Sequence, residues 1–312
     1  MGNFDQVFQT IIVVFGLVMV GAGVRAAQWL RPEDAKRIFP PLINNVFLPA
    51  VIFNGIKKTR DKPISPEVLK VSLIALLVIV FCGLMAWSLG RILKLQRRQM
   101  GAFILTATFG STGFVGLPLV KGIYGDKGIL PHAFYSEIGS LTLLVTMGVI
   151  IASFYGEGGR FGWQTLLAIP RSGPFIGLVL ALIFYKDDLP TFITATLDTL
   201  GAVTLPLMMF LVGVTIVWKN IGSILPSIIA LNLIKLLVSP IIAIVLAKIL
   251  LQDDQMAQGV ILLNASTPAI ILCLAYANQY KLDEEFTSAA VFSSFFFSLP
   301  TILLMTALFL PR

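Results

Sequence analysis

Apolar runs long enough to cross a lipid bilayer follow one another along the whole chain, and this pattern limits the fold more than any other feature. The 312 residues are 57% hydrophobic and only 12% charged, whereas soluble domains carry about 25% charged residues. Runs of about 18 or more apolar residues are typical of transmembrane helices, which satisfy their backbone polar groups internally. The sequence therefore predicts an all-α integral membrane protein with the lipid bilayer as its surroundings.

Hydropathy divides the chain into ten candidate spans, which are joined by short connections rich in Gly, Pro, Asp and Lys. The first apolar run is longer than a signal-peptide core and lacks a basic start, so we expect a retained helix. The predicted spans 1 to 10 cover residues 6–30, 37–57, 67–93, 100–124, 131–155, 163–185, 191–218, 223–250, 257–280 and 285–310.

The two halves of the chain carry similar short motifs in the same order, which indicates an internal repeat. Five matches are separated by 155 to 157 residues: Leu48-Pro49 with Leu205-Pro206, Ser72 with Ser227, Gly90-Arg91 with Ala247-Lys248, Gln99-Met100 with Gln255-Met256, and Ser111-Thr112 with Ser266-Thr267. Because each repeat holds an odd number of spans, the second repeat enters the membrane from the opposite side. We therefore predict two inverted five-helix repeats, 1–155 and 163–312, with a short linker at 156–162.

Spans 4 and 9 are both interrupted near the middle, at Ser111-Thr112 and at Ser266-Thr267. In span 9, Thr267 stands where an N-cap would stand, and Pro268 follows at the first helical position. Gly and Pro also kink ordinary transmembrane helices, but breaks at matching places in two halves favour a transporter's binding site. The sequence therefore predicts that helices 4 and 9 are both broken.

A broken span exposes the N-terminus of a half-helix, whose free N–H groups carry partial positive charge and suit an anion. We expect half-helices to begin near Gly113 and Pro268 and to point toward a shared central space. Short polar side chains beside them can bind a carboxylate, a water or a cation. The candidate substrate-binding residues are Ser111, Thr112, Gly113, Asn264, Ser266, Thr267 and Pro268.

Three further residues are candidates for coupling or gating: Lys235, Glu137 and Asn45. Lys235 lies near the middle of span 8, where an ammonium group is costly, and it can act as a counter-ion, bind a backbone carbonyl or snorkel. Glu137 in span 5 can carry a proton, pair with Lys235 or lie at the membrane edge, which is the favoured place for Asp198. Asn45 in span 2 can line a pore or hydrogen-bond a neighbouring helix.

Composition argues against several other classes of protein. The net charge of +7 comes from Lys and Arg scattered over short loops, where they anchor helices and contact lipid headgroups rather than nucleic acid. Cys82 and Cys273 lie within spans, and the single histidine, His132, lies near a loop, so neither a metal site nor a cofactor is expected. An intramembrane enzyme is not expected either, because no span holds two acidic residues near its centre.

The run Gly116-Leu-Pro-Leu-Val-Lys-Gly-Ile-Tyr-Gly-Asp126 resembles the span-4 signature of the auxin efflux carrier family. The Leu48-Pro49 element, the block from Asn264 to Pro268 and Ser298-Leu-Pro300 are similar to that family too, so that the resemblance covers essentially the whole chain. It implies ten spans in two inverted repeats, with spans 4 and 9 crossing at the substrate site. It also implies alternating access, an extracellular N-terminus, which charge counting leaves open, and organic anions such as auxin or dicarboxylates as substrates.

Two departures from the plant auxin exporters stand out. The central loop is only a few residues long, so the pattern is closer to compact prokaryotic members of the family. Where the plant proteins typically carry Pro-Asn at the span-4 break, this chain has Gly110-Ser111. Auxin specificity is therefore not carried over.

We accordingly expect a multi-pass transporter of the cell membrane that moves a small organic anion, with a carboxylate as the favoured class. Two alternatives stay open: a sodium-coupled symporter of the bile-acid-carrier type, which shares inverted five-span repeats, and a channel or receptor without alternating access. Coupling to protons or sodium and assembly as a homodimer are compatible with either carrier.

Overall fold

The computed structural model describes residues 2–57, 66–157, 173–184, 188–215, 221–252 and 254–309, and within these ranges the chain is helical apart from its turns and one isolated β-bridge. The helices are, in chain order, α1 Gly2–Ala26; α2 Pro32–Leu42, continuing through Ile43–Phe47 and Leu48–Lys57; α3 Pro66–Ile92; α4 Arg97–Thr108; α5 Thr112–Gly116, continuing as Leu117–Tyr124; α6 Ile129–Tyr155; α7 Gly173–Ile183; α8 Thr191–Thr215; α9 Ile221–Leu233, continuing through Ile234–Val238 and Ser239–Leu250; α10 Gln255–Ala265; α11 Leu272–Gln279; and α12 Glu284–Phe309.

Several of these helices are long and apolar enough to cross a membrane. Four qualify in the described part of the chain: Leu69–Ile92, Ile129–Tyr155, Thr191–Thr215 and Ile224–Leu250. Helix α12 is a fifth if its two parts, bent by 47° next to Pro300, form one span; a proline removes a helix hydrogen bond and so permits such a bend. The predicted all-α membrane class is confirmed. Most of the predicted linker and the first half of span 6 lie outside the described residues.

The helices pack in two groups. In the first group, α1 lies against α8, and both α7 and α8 lie against α2. In the second group, α3 packs against α4, α6 and α9, α12 packs against α4 and α9, and α10 lies along α9. The half-helices α5 and α11 contact both groups, because α5 also lies along α1 and α11 also contacts α2. The segments that follow the two breaks therefore lie between the groups.

Close packing in the first group depends on glycine. A β-carbon on Gly21 of α1 would overlap the carbonyl oxygen of Phe210 on α8, and one on Gly177 of α7 would stand 2.6 Å from the Cα atom of Pro49 on α2. Small residues let transmembrane helices approach closely, and this approach supplies much of their attraction in lipid. Gly21 and Gly177 are 156 residues apart (177 − 21), which falls within the offset of the sequence repeat.

One face of the molecule carries a small cluster of charges. Glu157 accepts a hydrogen bond from Arg98 over 3.0 Å and lies 3.5 Å from the ammonium of Lys281. The cluster brings together three connections between helices: the start of α4, the residues that follow α6, and the turn between α11 and α12. An even number of predicted spans separates each of these connections from the next, so the predicted topology requires all three to lie on one side of the membrane.

Candidate functional site

The two helix breaks cross inside the second group and hydrogen-bond to each other. The amide of Ser111 donates to the carbonyl oxygen of Pro268 over 2.8 Å, and the amide of Ile270 donates to that of Phe109 over 3.0 Å. Gly110 and Ala269, which lie between these bonded residues, form an isolated antiparallel β-bridge. Each break thus satisfies backbone groups that the other leaves free, which lipid could not do. The predicted breaks in spans 4 and 9 are present, and they cross.

Serines from neighbouring helices hold the second break. The hydroxyl of Ser239 on α9 donates to the carbonyl oxygen of Ala265, the last residue of α10, over 3.2 Å. The hydroxyl oxygen of Ser294 on α12 accepts the amide of Ala269 over 3.0 Å. Both serines are buried. The unwound segment therefore has a defined place, because its polar backbone atoms are bonded on both sides.

The half-helix after the first break begins at Thr112, one residue before the predicted start. The amides of Val115 and Gly116 both donate to the carbonyl oxygen of Ser111, over 2.9 and 3.3 Å, which makes the first turn a wide one. Amides that precede them have no acceptor within the helix, as at every helix start, and they carry the positive end of the helix dipole. This start of α5 is buried against α6 and α10, whereas Leu117–Tyr124 lies along α1, so α5 leads from the crossing to the boundary between the two helix groups.

The predicted start of the other half-helix at Pro268 is wrong, because α11 begins four residues later, at Leu272. The hydroxyl of Thr267 donates to the carbonyl oxygen of Asn264 over 2.7 Å, and the hydroxyl of Ser266 donates to the carbonyl oxygen of Leu262, also over 2.7 Å. Both side chains therefore bond to carbonyls in the last turn of α10 that also accept backbone amides, which is a common use of Ser and Thr, instead of capping α11. Their hydroxyl protons are bound to the protein's own backbone.

A chain of hydrogen bonds leads from the first break into α6. The hydroxyls of Thr112 and Ser136 lie 2.8 Å apart, and Ser136 donates to Oε1 of Glu137 over 3.0 Å. All three side chains are buried, and Oε2 of Glu137 has no hydrogen-bond partner in the described part of the chain. Gly113, beside them, is open: a β-carbon there would meet only the Ser136 hydroxyl, at 3.9 Å. The structure thus brings Glu137 to the start of α5.

Two other predicted site residues keep unpartnered polar atoms. Ser111 and Asn264 are fully buried, and neither Oγ of Ser111 nor Oδ1 of Asn264 has a partner among the described residues. The side-chain nitrogen of Asn264, Nδ2, donates to the carbonyl oxygen of Val260 over 2.8 Å, which fixes the orientation of the side chain. Gly116 makes room for it, since a β-carbon there would stand 2.5 Å from Oδ1. Buried polar atoms without a protein partner are uncommon, and a bound water, ion or ligand is one way to satisfy them.

His132 belongs to the same region, although the sequence analysis set it aside as a residue near a loop. It is 3% exposed, its ring faces Asn264, and its Nδ1 has no partner within the described ranges. The start of α6, which carries it, packs against α10. No sequence signal marks this contact, because it joins residues more than a hundred positions apart.

Lys235 reaches the crossing from α9, where it lies on the wide turn Ile234–Val238 and is 3% exposed. A β-carbon on Gly110 would stand 2.8 Å from its Nζ atom, so the ammonium lies at the break itself. The carboxyl ends of α4 and α10 meet there, and both carry partial negative charge. Within the described ranges, no ion pair joins Lys235 to Glu137.

The remaining candidates lie away from the crossing. Asp198 is exposed and accepts a hydrogen bond from the side chain of Asn54 over 3.1 Å. Asn45 lies on the wide turn of α2, and its side chain is exposed. The structure does not bring Asn45 to the crossing residues.

Comparison with known proteins adds an independent observation. The family model described as membrane transport protein matches the chain twice, over residues 6–158 and 158–306. An uncharacterized transporter of Methanocaldococcus jannaschii is 28% identical over 301 residues, which cover 94% of this chain and 96% of the relative. One of Methanothermobacter thermautotrophicus is 26% identical over 295 residues, 94% and 95% of the two chains. The uncharacterized transporter YfdV of Escherichia coli K12 is 22% identical over 247 residues, 76% and 77% of the two chains.

Proposed function

Because the chain belongs to the membrane transport protein family, the auxin efflux carrier-like group, and is therefore a transporter rather than an enzyme, we propose that it moves a small organic anion. A carboxylate is the expected class. The expected mechanism is alternating access around the crossed breaks, and a cell membrane is the expected location.

The observation that carries the proposal is the buried start of α5. The free amides of its first turn favour negative charge, and the unpartnered hydroxyl of Ser111 can donate one hydrogen bond to a carboxylate oxygen. Oδ1 of Asn264 only accepts, so it suits a hydroxyl group or the proton of a carboxylic acid. An oxygen-rich anion with one ionised group fits this set of donors and acceptors.

The proposed architecture is ten spans in two inverted five-helix repeats, 1–155 and 163–312. Three observations support it: two matches of one family model, reciprocal hydrogen bonds at the crossing, and equivalent glycines at helix contacts. In this architecture the second helix group moves against the first, and the start of α5 faces one side of the membrane and then the other. The proposed orientation has the N-terminus outside the cell, as the family resemblance implies.

Proton coupling through Glu137 is part of the proposal. A carboxyl group at membrane depth commonly carries a proton in transporters, and the hydroxyls of Ser136 and Thr112 connect this one to the start of α5. A proton taken up at Glu137 would thus be sensed where the anion binds. The direction of transport follows the gradients of anion and proton.

A sodium-coupled symporter is the second candidate, favoured by the unpartnered oxygens of Glu137 and Asn264. In carriers of that kind, backbone carbonyls of unwound segments coordinate the sodium ion. The ammonium of Lys235 already lies at the carboxyl ends of α4 and α10, so a fixed positive charge takes the place that sodium would need. This argument favours a carrier that works without sodium.

The test uses purified protein in liposomes and a panel of carboxylates chosen by thermal shift. We expect saturable uptake and counterflow of at least one carboxylate without sodium, and a raised Michaelis constant for Ser111→Ala. Ser288→Ala is the matched control, since Ser288 is equally buried and unpartnered but lies on α12. Failure of every carboxylate to move would refute the anion proposal, a sodium requirement would favour the symporter, and flux without counterflow would indicate a channel.

A further inference from the structure

An apolar groove of about 490 Å³ runs along the outside of the second helix group. Its walls are α3, which contributes Val80, Leu84 and Trp87, and α6, which contributes Met147 and Tyr155, and the end of α4 forms its floor. Most of these side chains are also open to the surroundings. The groove therefore opens sideways, toward the lipid.

The length of the groove matches one leaflet of a bilayer. From Leu76 to Trp87 the lining of α3 advances by eleven helical steps, or about 16 Å at 1.5 Å per step. The hydrocarbon core of a bilayer is about 30 Å thick, so one leaflet contributes about half of that. The deep end lies at Thr108 and Phe109, where α4 breaks near the middle of the predicted span. One extended hydrocarbon chain fits a groove of this length and lining.

The mouth of the groove is basic. The guanidinium of Arg91 lies 4.6 Å from the ring centre of Trp87, and Lys94 is exposed in the following turn. Arg97, across the mouth, stacks on the ring of Phe154 at 5.6 Å. Glu157, which follows the end of α6, is bound to Arg98 and Lys281. Positive charge beside an interfacial tryptophan is suited to an anionic lipid headgroup.

The equivalent place in the second half of the chain is different. The ammonium of Lys248, 157 residues after Arg91, lies over the ring of Phe309 at 5.8 Å. The cavity beside it, of about 330 Å³, is lined by Lys248, Gln255 and Gln258 as well as by apolar residues. Polar groups in this lining do not suit a hydrocarbon chain. The apolar groove is therefore a feature of the first half.

We propose that the groove binds one acyl chain of an anionic phospholipid, whose phosphate group lies at Arg91 and Lys94. The end of the chain would lie against Phe109, whose carbonyl oxygen accepts the amide of Ile270 across the crossing. A bound lipid would thus support the end of α4 where it breaks. The proposal does not depend on the identity of the transported substrate.

The headgroup is tested by native mass spectrometry of the full chain with phosphatidylglycerol or phosphatidylcholine. We expect tighter binding of phosphatidylglycerol, and we expect Arg91→Gln and Lys94→Gln each to weaken it by about fivefold, since a basic residue near the surface attracts anionic lipid by roughly that factor. Both substitutions should weaken binding of phosphatidylcholine less, because its choline cation offsets the charge of the phosphate that it shares with phosphatidylglycerol. Lys248→Gln, the equivalent lysine, is the control and should leave both affinities as they are. Equal binding of the two lipids to the unaltered chain would overturn the proposal.

The acyl chain is tested by filling the groove. Met147 lines the groove and is 45% exposed, so Met147→Trp occupies the groove without disturbing the core. We expect it to lose bound lipid of both headgroups, whereas Leu77→Trp, at an exposed position of α3 outside the lining, should keep it. Gly83→Leu, from the opposite wall, gives a second test. If both groove variants retain lipid, the headgroup site exists without the acyl-chain site and the proposal is wrong.

Discussion

Gly110 and Lys235 lie so close that a β-carbon on Gly110 would stand 2.8 Å from the ammonium nitrogen. The same β-carbon would stand 2.5 Å from the hydroxyl of Thr267. Gly110 pairs with Ala269 in the antiparallel bridge, so both breaks and the lysine meet at this residue. The crossing is therefore packed around a position that has room for no side chain.

Gly110→Ala should destabilise the protein. The tip of Lys235 is flexible and can move, but Thr267 is short and bonded to a carbonyl, so the overlap with its hydroxyl must be relieved by a shift of backbone. Such overpacking costs about 1–3 kcal/mol, and it is measured as a lower melting temperature in detergent. Gly113→Ala, where a β-carbon meets nothing closer than 3.9 Å, should melt like the unaltered chain. Removal of the hydroxyl by Thr267→Ala should restore part of the loss, and an unchanged melting temperature for Gly110→Ala alone would contradict this account.

Lys235→Ala should lower both stability and transport. Without the ammonium, the carboxyl ends of α4 and α10 lose their positive partner, an interaction worth up to about 2 kcal/mol in buried geometries. Added methylammonium or ethylammonium should restore part of the transport, because a small cation can occupy the space that the lysine leaves. Lys248→Ala, an exposed lysine on the same helix, should behave like the unaltered chain. If sodium alone restored transport by Lys235→Ala, the space that the ammonium occupies would instead be a site for a metal cation.

Glu137→Gln should abolish uptake driven by a pH gradient while counterflow of the substrate persists. The amide oxygen of glutamine still accepts the hydrogen bond from Ser136, but the side chain cannot take up and release a proton as a carboxylate does. Uptake into liposomes with and without an imposed pH gradient measures the difference. Glu157→Gln, an exposed carboxylate at the face of the molecule, is the control. A variant that still responds to the gradient would rule out Glu137 as the proton carrier.

Gly21→Leu should separate α1 from α8. Its side chain would overlap the carbonyl oxygen of Phe210, and the loss of close packing should cost about 1–3 kcal/mol. Gly23→Leu is the control on the same helix, because a β-carbon there has nothing within 4 Å. Thermal melting of both variants in the same detergent compares them. Equal melting temperatures would show that the contact between α1 and α8 does not limit stability.

The sequence located the start of α5 to within one residue. The repeat offset predicted a second break at the equivalent place, and the family resemblance implied that the two breaks cross. The start of α11 was missed for a tertiary reason. Thr267-Pro268 is a good local helix start, but residues 268 and 270 are hydrogen-bonded across the crossing, and a helix cannot begin until the chain has passed it. Pairing with a distant segment outweighed local preference.

Long-range packing also explains the site residues that sequence analysis could not assign. His132 lies next to a turn in sequence, yet the contact between the start of α6 and α10 buries it. Likewise, the hydrogen bond between Thr112 and Ser136 joins two helices that no periodicity connects. Single positions of this kind depend on how helices rotate about their own axes, and apolar composition alone does not determine that rotation in a membrane.

The hydrogen bonds that join the two breaks run between main-chain atoms only. Substitution of side chains at these positions leaves such bonds intact, provided that Gly110 stays small and Pro268 keeps its carbonyl in place. The main chain therefore forms the crossing, and the side chains beside it determine which substrate binds there. A lineage of such proteins could acquire new substrates by exchanging residues such as Ser111 and Asn264, one at a time, without having to invent the architecture again.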